Sequence, residues 1–331
     1  MKRAGYLMRN IADTANLYLA FVKARKTKQA QSTVLDYEKC LDANVCQLKN
    51  QLLTNSVVVG NYHYFTISDP KVRQICAAPF GERVLHHALM NVCHPFFDKH
   101  LISDTYATRK NKGTYSALDR ARQYAHAYSY YVKMDIRKYF DNIDHGILKQ
   151  QLSGLFKDQA LLAVFDMIIN SYHVGETKGV PIGNLTSQYF ANHYLSAADH
   201  FAKENLKIPA YIRYMDDMLF FGNNKSELLL KTKLFVGFVE QTLQLGFKPI
   251  VYASTTEGVV FLGYKIYPHH VKLNLRSKTR FKTKMIEYDN NLQLGKWNPY
   301  QYQQHVMPLL AFAQYADTLQ LRIKTMKALS G

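Results

Sequence analysis

Cysteine is scarce in this chain. Its four copies, Cys40, Cys46, Cys76 and Cys93, are irregularly spaced and form no CxxC. That argues against a disulfide framework and for reduced thiols in a cytosolic protein. The crowded stretch His86, His87, Cys93, His94 and His100 matches no usual zinc spacing, so ordinary helix residues are the better reading. Long apolar runs are missing too. None approaches the roughly 18 residues that span a bilayer, and the basic N-terminus lacks the apolar stretch of a signal peptide. There is no internal repeat, low-complexity linker or long Pro/Ser tract. Acids are the minority charge, 25 against 42 Lys plus Arg, for a net charge of +17. The excess is clustered: residues 1–30 hold seven Lys/Arg and one acid, and residues 271–331 hold ten and three. Clustering of that kind fits a polyanion partner, most often nucleic acid, better than a merely basic soluble protein.

What is present is a chain of 331 residues with 47% apolar content. That is enough for a large core split over two or three subdomains. Residues 5–53 carry apolar positions on a loose helical period. "SVVVGNYHYFTISDPKVRQI" reads as two strands around Gly60-Asn61 with a turn at Asp69-Pro70. "GERVLHHALMNVCHPFFDKHL" returns to a helix, and "YSYYVKMDIRKYF" is a strand that ends in Asp135. A helix begins near Asp144, and a Gly-Pro loop runs into another at Thr186-Ser187. A long helix covers about 225–245, "GVVFLGYKIYPHHVKLN" is a hairpin, and the remainder is basic and helical. Interleaved strands and helices make the fold class α+β.

Chemistry gathers at three acids. Asp216 and Asp217 stand in "RYMDDMLFFG" between tight apolar flanks, and Asp135 ends a strand of its own. Strand neighbours point to opposite faces, so two adjacent acids serve one site only if the chain turns there. A third acid on a neighbouring strand then completes an oxygen-rich cage suited to Mg²⁺. Two such ions clamp the attacking and leaving oxygens of an in-line phosphoryl displacement. An Asp pair alone would more often be a surface turn. The apolar flanks and the upstream "KMDIRKYF" favour the metal site.

These residues closely resemble a reverse transcriptase, with its blocks in order along the chain. "YMDD" at 214–217 is similar to motif C, "MDIRKYFDNIDH" at 134–145 to motif A of the group II intron branch, and "GVPIGNLTSQYFANHYL" at 179–195 to motif B. "LGFK" at 245–248 weakly resembles motif D, "FLGY" at 261–264 the primer grip, and "PKVRQICAAPFGERVLHHAL" at 70–89 the finger motifs. The resemblance implies a right-hand polymerase with fingers, palm and a short helical thumb. It divides the chain into an N-terminal helical extension (1–53), fingers (54–132), palm (133–270, with a finger insertion at about 148–180) and thumb (271–331). It implies an RNA-directed DNA polymerase, a nucleotidyltransferase, with Asp135, Asp216 and Asp217 as catalytic residues. Two Mg²⁺ ions, or Mn²⁺ in their place, would be held by Asp135, Asp216, Asp217 and the Ile136 carbonyl, with Asp217 in a supporting part. Arg73 and Arg83 match the cations that hold the incoming triphosphate. Lys71 would be a third, although it reads equally well as solvated surface charge. Phe140 matches the bulky gate against a ribose 2′-hydroxyl, which implies dNTP use, or it is simply a core aromatic. Ile182, Gly183 and Gln188 would line the same nucleotide pocket. Phe261, Leu262, Gly263 and Tyr264 would grip the primer. Lys272, Arg276, Lys278, Arg280, Lys282 and Lys284 would track the template–primer backbone, unless they form a solvated helix face.

Motif B narrows the resemblance. Many relatives have Gln-Gly and then Ser-Pro, where this chain has Ile182-Gly183 and Ser187-Gln188. With "ERVLHHAL" and "SDTYATRKNKGTYSAL", that pattern resembles the reverse transcriptases of diversity-generating retroelements. Such enzymes belong to bacteria and phages, which implies a cytoplasmic location. They copy a template-repeat RNA into adenine-mutated cDNA for mutagenic retrohoming, with a pentameric, basic accessory variability determinant protein. Fewer than 70 residues follow "FLGY", room for a short thumb, and the expectation is of no maturase or endonuclease region. The alternatives are a retron-like, abortive-infection or CRISPR-associated reverse transcriptase, or a non-catalytic RNA-binding protein on a polymerase scaffold. The retron-type Asn-Ala-x-x-His segment is absent between motifs A and B, and the intact acids speak against a non-catalytic role.

Overall fold

Three aspartates start three helices. Each stands just ahead of an apolar run, where a short acceptor satisfies N–H groups that the first turn leaves unpaired. Asp13 accepts from Ala15 and Asn16 and opens Thr14–Ala24. Asp144 accepts from Ile147 and opens His145–Leu155, where the sequence places a helix start. Asp158 accepts from Leu161 and opens Gln159–Asn170. The computed structural model describes residues 3–68 and 72–328. Its chain forms two compact units, each assembled from separate stretches. The first comprises Met1–Lys110, Ile136–Lys207 and Lys233–Lys248; the second comprises Asn111–Asp135, Ile208–Thr232 and Pro249–Gly331. This division interleaves along the chain.

The first unit is mostly helical. The expected helical segment 5–53 is four helices, Met8–Ile11, Thr14–Ala24, Ser32–Lys39 and Leu41–Leu53. Long helix Phe80–His100 packs on Thr14–Ala24 through fully buried Leu17, Ala20, Val84, Ala88 and Leu89. Asn16 ties the pair polar-side, donating to the Ile11 and Ala88 carbonyls. Three of the four histidines of this helix have side-chain neighbours. His86 lies 3.4 Å from Glu82, His94 contacts the Tyr189 hydroxyl at 3.0 Å, and His100 packs on His193 and His200. Two strands, β1 (His63–Ile67) and β2 (Arg73–Ala77), pair antiparallel. Their pairing corrects the expected strands around Gly60-Asn61. Gly60 takes a left-handed φ of 94° and donates its N–H to Glu82, so residues there turn instead of extending. The turn at Asp69-Pro70, and Lys71, lie outside the described residues.

The second unit is built on an antiparallel sheet with strand order β4-β5-β3-β6. Its strands are β3 (Tyr130–Asp135), β4 (Ala210–Tyr214), β5 (Asp217–Gly222) and β6 (Val251–Ser254). Central β5 is buried along Met218, Leu219, Phe220 and Phe221, as expected of a strand covered on both faces. A second sheet, β7 (Val259–Phe261), β8 (Tyr264–Ile266) and β9 (Val271–Leu273), replaces the expected simple hairpin with three strands. Helices Leu275–Gln293, Pro299–Gln314 and Leu319–Lys327 follow. Asn274 caps the first, and Asn298 with Pro299 at the first helical position opens the second. Helix Pro299–Gln314 is anchored in this unit by tyrosines. The Tyr264 hydroxyl donates to the Phe312 carbonyl at 2.7 Å, and the Tyr315 hydroxyl donates to Asp119 at 2.7 Å. No described helix is long and apolar enough to cross a membrane.

Asp158 also holds the start of the chain. Its Oδ2 accepts the Leu7 and Met8 N–H groups at 2.6 and 3.1 Å, while Oδ1 caps its own helix at 3.2 Å. Replacing Asp158 with Ala strands all three donors. The expected cost is about 2 kcal/mol of stability, with fast hydrogen exchange at Leu7 and Met8. Unchanged exchange there would mean that water replaces the carboxylate at no cost.

Candidate active site

Antiparallel pairing sets the acids in place. The β3–β5 register puts Asp135 directly opposite Asp217, and the β4–β5 register puts Tyr214 opposite Asp217 on the other side. Met215 and Asp216 form the two-residue turn between β4 and β5. A left-handed residue first in such a turn matches the twist of the flanking strands. Met215 supplies it with φ 53°, at a cost of about 1–2 kcal/mol for a side chain with a Cβ. Arg213 supports the strained turn: wholly buried in β4, it donates to the Met215 carbonyl at 3.2 Å. The chain does turn between the two adjacent acids, as their joint use requires.

Alternation along β3 places Lys133 on the face of Asp135. Leu219 stands directly opposite Lys133, so Asp217 is its diagonal neighbour. The Lys133 ammonium lies 3.2 Å from Asp217 Oδ2 and donates to the Val260 carbonyl at 2.8 Å. Asp217 Oδ1 is buried without a partner. Burial pushes the Asp217 carboxyl up to about 6; Lys133 opposes the rise, and the negative charges of Asp135 and Asp216 add to it. Asp217 Oδ1, buried without a hydrogen-bond donor, is a hard oxygen donor of the kind that suits Mg²⁺ or Mn²⁺. The residues fit such an ion. They do not, however, form the three-acid cage the sequence suggests: among the described residues no three His, Cys, Asp or Glu side chains gather as a metal site. Asp217 turns one oxygen to Lys133 instead.

The nucleotide-pocket candidates lie in the first unit, joined by backbone hydrogen bonds. Cys76 of β2 donates to the Ile182 carbonyl at 2.8 Å, and Val180 donates to the Phe140 carbonyl at 2.9 Å. β2, Phe140 and the Val180–Gly183 loop are thus one frame. Arg73 is exposed on β2. Arg83 is half-buried, with its Nε fixed on the Ala78 carbonyl at 3.0 Å. Phe140 is only half-buried and packs edge-on against Tyr139, so it is not a fully enclosed core ring. Gln188 is exposed and accepts from Thr108 at 3.4 Å. Ile136 is wholly buried and bridges Phe247, while Arg137 donates to the Gly246 carbonyl. "LGFK" therefore braces the segment just after Asp135. Gly183 has a structural reason of its own. Its φ is 122°, and a Cβ would come 2.9 Å from Ile75 Cγ2 and 3.1 Å from the Cys76 carbonyl. Its close approach is to β2, so packing alone requires a glycine here.

Two primer-side expectations change. Phe261 and Tyr264 are wholly buried, so only the turn residues Leu262 and Gly263 are accessible to a primer. Gly263, with φ 93°, lets helix Pro299–Gln314 approach: a Cβ would meet Phe312 and Ser277 at 3.0 Å. The basic stripe also divides. Helical spacing puts Arg276, Arg280 and Lys284 on one side of Leu275–Gln293 and Lys278 and Lys282 on another, separated by buried Phe281 and Met285. Lys272 belongs to neither group; on β9 it sits with Lys265 over the Tyr267 ring, each 5.5 Å from the centroid. Lys133 and Arg213 escaped the sequence reading. The available signal was a lone cation inside each apolar strand beside the acids.

A family model for reverse transcriptase (RNA-dependent DNA polymerase) matches residues 68–266. Among curated proteins the chain is similar to a putative COX1/OXI3 intron 1 protein of Saccharomyces cerevisiae. The two are 19% identical over 171 residues, covering 49% of this chain and 20% of that protein. It is also similar to nuclear intron maturase 1, mitochondrial, of Arabidopsis thaliana, 24% identical over 103 residues, 30% of this chain and 14% of that protein. Among solved structures, an apo telomerase from Candida tropicalis, truncated from its C-terminal domain, matches with a TM-score of 0.52 and 16% identity. The match covers 65% of this chain and 55% of that one. The chain thus spans a fifth or less of these curated relatives and about half of the telomerase. At such identity the telomerase likeness speaks to fold, which is the right-hand polymerase fold in its mixed helix-and-sheet form.

Gly183→Ala tests the frame around the loop. The new Cβ would strain a left-handed backbone and press on β2. The Cys76–Ile182 hydrogen bond should break, for a loss of about 1–3 kcal/mol. Hydrogen exchange at the Cys76 amide reads this directly. Protection equal to that of the parent chain would show that β2 yields without cost.

Proposed function

The chain belongs to the reverse transcriptase (RNA-dependent DNA polymerase) family, and on that premise we propose that it is an RNA-directed DNA polymerase serving a diversity-generating retroelement. The observation that carries the polymerase reading is the strand register that sets Asp135 opposite Asp217 with Asp216 in the adjoining turn. Two divalent ions held by Asp135, Asp216 and the Ile136 carbonyl would supply positive charge to the attacking and leaving oxygens of phosphoryl transfer. Asp217 supports that charge balance from its place beside Lys133. Arg73 and Arg83 hold the incoming triphosphate, since guanidinium–phosphate contacts are strong and bidentate. Fixing the Arg83 Nε on the Ala78 carbonyl leaves its other N–H donors for the ligand. Phe140 excludes a 2′-hydroxyl by bulk and so selects dNTPs. The Leu262–Gly263 turn meets the primer, and Arg276, Arg280 and Lys284 follow the template–primer backbone through salt-dependent contacts.

The retroelement assignment rests on Ile182 and Gln188, the departures in motif B. The template is then the element's own template-repeat RNA, copied into adenine-mutated cDNA for mutagenic retrohoming in a bacterium or phage. The pentameric accessory variability determinant is the protein partner. Both proteins being basic, it docks through polar and apolar patches or through shared RNA, not through net charge.

Two experiments test these assignments. Asp135→Asn or Asp216→Asn should cut primer extension on an RNA template about 1000-fold or more, with RNA binding retained. Near-normal extension by either variant would remove the polymerase assignment. Fidelity tests the retroelement. Ile182 offers the nucleotide shape but no hydrogen bond, and discrimination by shape is weak. Ile182→Gln should lower misincorporation opposite template adenine about threefold or more, read by sequencing cDNA from one template. An unchanged error spectrum at normal yield would place the infidelity elsewhere.

A further inference from the structure

We propose that Lys133 is a positioning residue: it binds Asp217 away from the metal-holding acids, weakens the site's hold on free metal, and ties that carboxylate to the β7 strand. The inference rests on the reading that Asp135 and Asp216 hold divalent ions. Lys133 has no need to be where it is. A lysine on a strand usually extends its ammonium into water, yet this one is only 23% exposed and makes two short contacts. Its directly opposed residue, Leu219, is wholly buried and offers no acceptor. The ammonium therefore leans along the strand to Asp217 Oδ2 at 3.2 Å, and its second contact is the Val260 carbonyl at 2.8 Å. Val260 belongs to β7, which leads through Phe261 into the Leu262–Gly263 turn. One side chain thus links the acid hairpin to the strand leading to the turn assigned to the primer.

The charge consequence is direct. Lys133 returns one positive charge to Asp217, the carboxylate it touches. A compact ammonium on Asp217 both neutralises it and competes with a metal for its oxygens. Removing the ammonium should let Asp217 swing toward the other two acids. The site would then hold divalent metal more tightly and in a less productive arrangement.

The test is Mn²⁺ binding to the polymerase without nucleotide, followed by electron paramagnetic resonance, beside primer-extension kinetics. Lys133→Met should bind Mn²⁺ about tenfold more tightly, while kcat falls roughly 10- to 100-fold. Lys133→Arg keeps the charge and should stay near the parent affinity. On an Asp217→Asn background, Lys133→Met should no longer shift Mn²⁺ affinity, because its effect runs through that carboxylate. Lys133→Gln keeps a donor for the Val260 carbonyl and should tighten Mn²⁺ in the same way, which covers misfolding of the Met variant. Parent-like or weaker Mn²⁺ binding by a folded Lys133→Met or Lys133→Gln chain overturns the proposal. Asp135→Asn separates the two levels. If it abolishes Mn²⁺ binding while the Lys133 variants stay unchanged, only the role of Lys133 fails. If it leaves Mn²⁺ binding intact, the metal reading fails and this inference with it.

Discussion

Across the pairing of β3 with β5, Asp135 and Asp217 stand directly opposite each other, and Asp216 adds a third acid at the turn. Like charges directly opposed on paired strands are unfavourable, and burial raises the cost. The site exists because the strands beneath it are strongly held. Val132, Met134, Met218, Leu219, Phe220 and Phe221 are all fully buried. Each contributes about 2 kcal/mol of gross burial energy, which together exceeds a repulsion of a few kcal/mol. Lys133 and Arg213 supply the local offsets, one to a carboxylate and one to the strained Met215 turn. Slipping the register by one residue would turn every one of these side chains to the wrong face.

The first unit solves a different problem, which is to hold a loop still. Residues 179–184 lie between helices and have no strand ladder of their own. Their N–H and carbonyl groups are instead shared with Phe140 and β2. Gly183 is the price of that closeness, since no side chain fits against Ile75 and the Cys76 carbonyl. A loop fixed in this way is rigid, because its residues are packed and hydrogen-bonded to their neighbours. Ile182 is half-exposed on such a support.

Much of this was legible in the sequence for identifiable reasons. The helix start at Asp144 is a local capping signal, and the Gly-Pro loop before Thr186-Ser187 marked the entry to the 185–194 helix. The three acids stood out because a carboxylate set between apolar strand residues is costly unless positive charge offsets it. Strand pairing was less legible. Gly60-Asn61 looks like a hairpin turn, but the Glu82 carboxylate, 22 residues away, captures the Gly60 N–H and fixes a bend there. The third strand β9 was missed because three-residue strands carry too little alternation to be read.

Chain order, charge, capping and the spacing of motifs determined that this is a basic α+β protein with three candidate acids, because those properties depend on residues close together in sequence. Which side chains meet was decided only by tertiary structure. Phe261 and Tyr264 look like gripping aromatics until packing buries them, and six cations two to four residues apart look like one stripe until β9 and the helix divide them. Lys133 reads as an ordinary strand lysine until β5 and β7 bring Asp217 and the Val260 carbonyl to it from 84 and 127 positions away in sequence. Sequence periodicity reports the face a residue occupies; the partner across that face depends on register and long-range pairing, which no local pattern encodes.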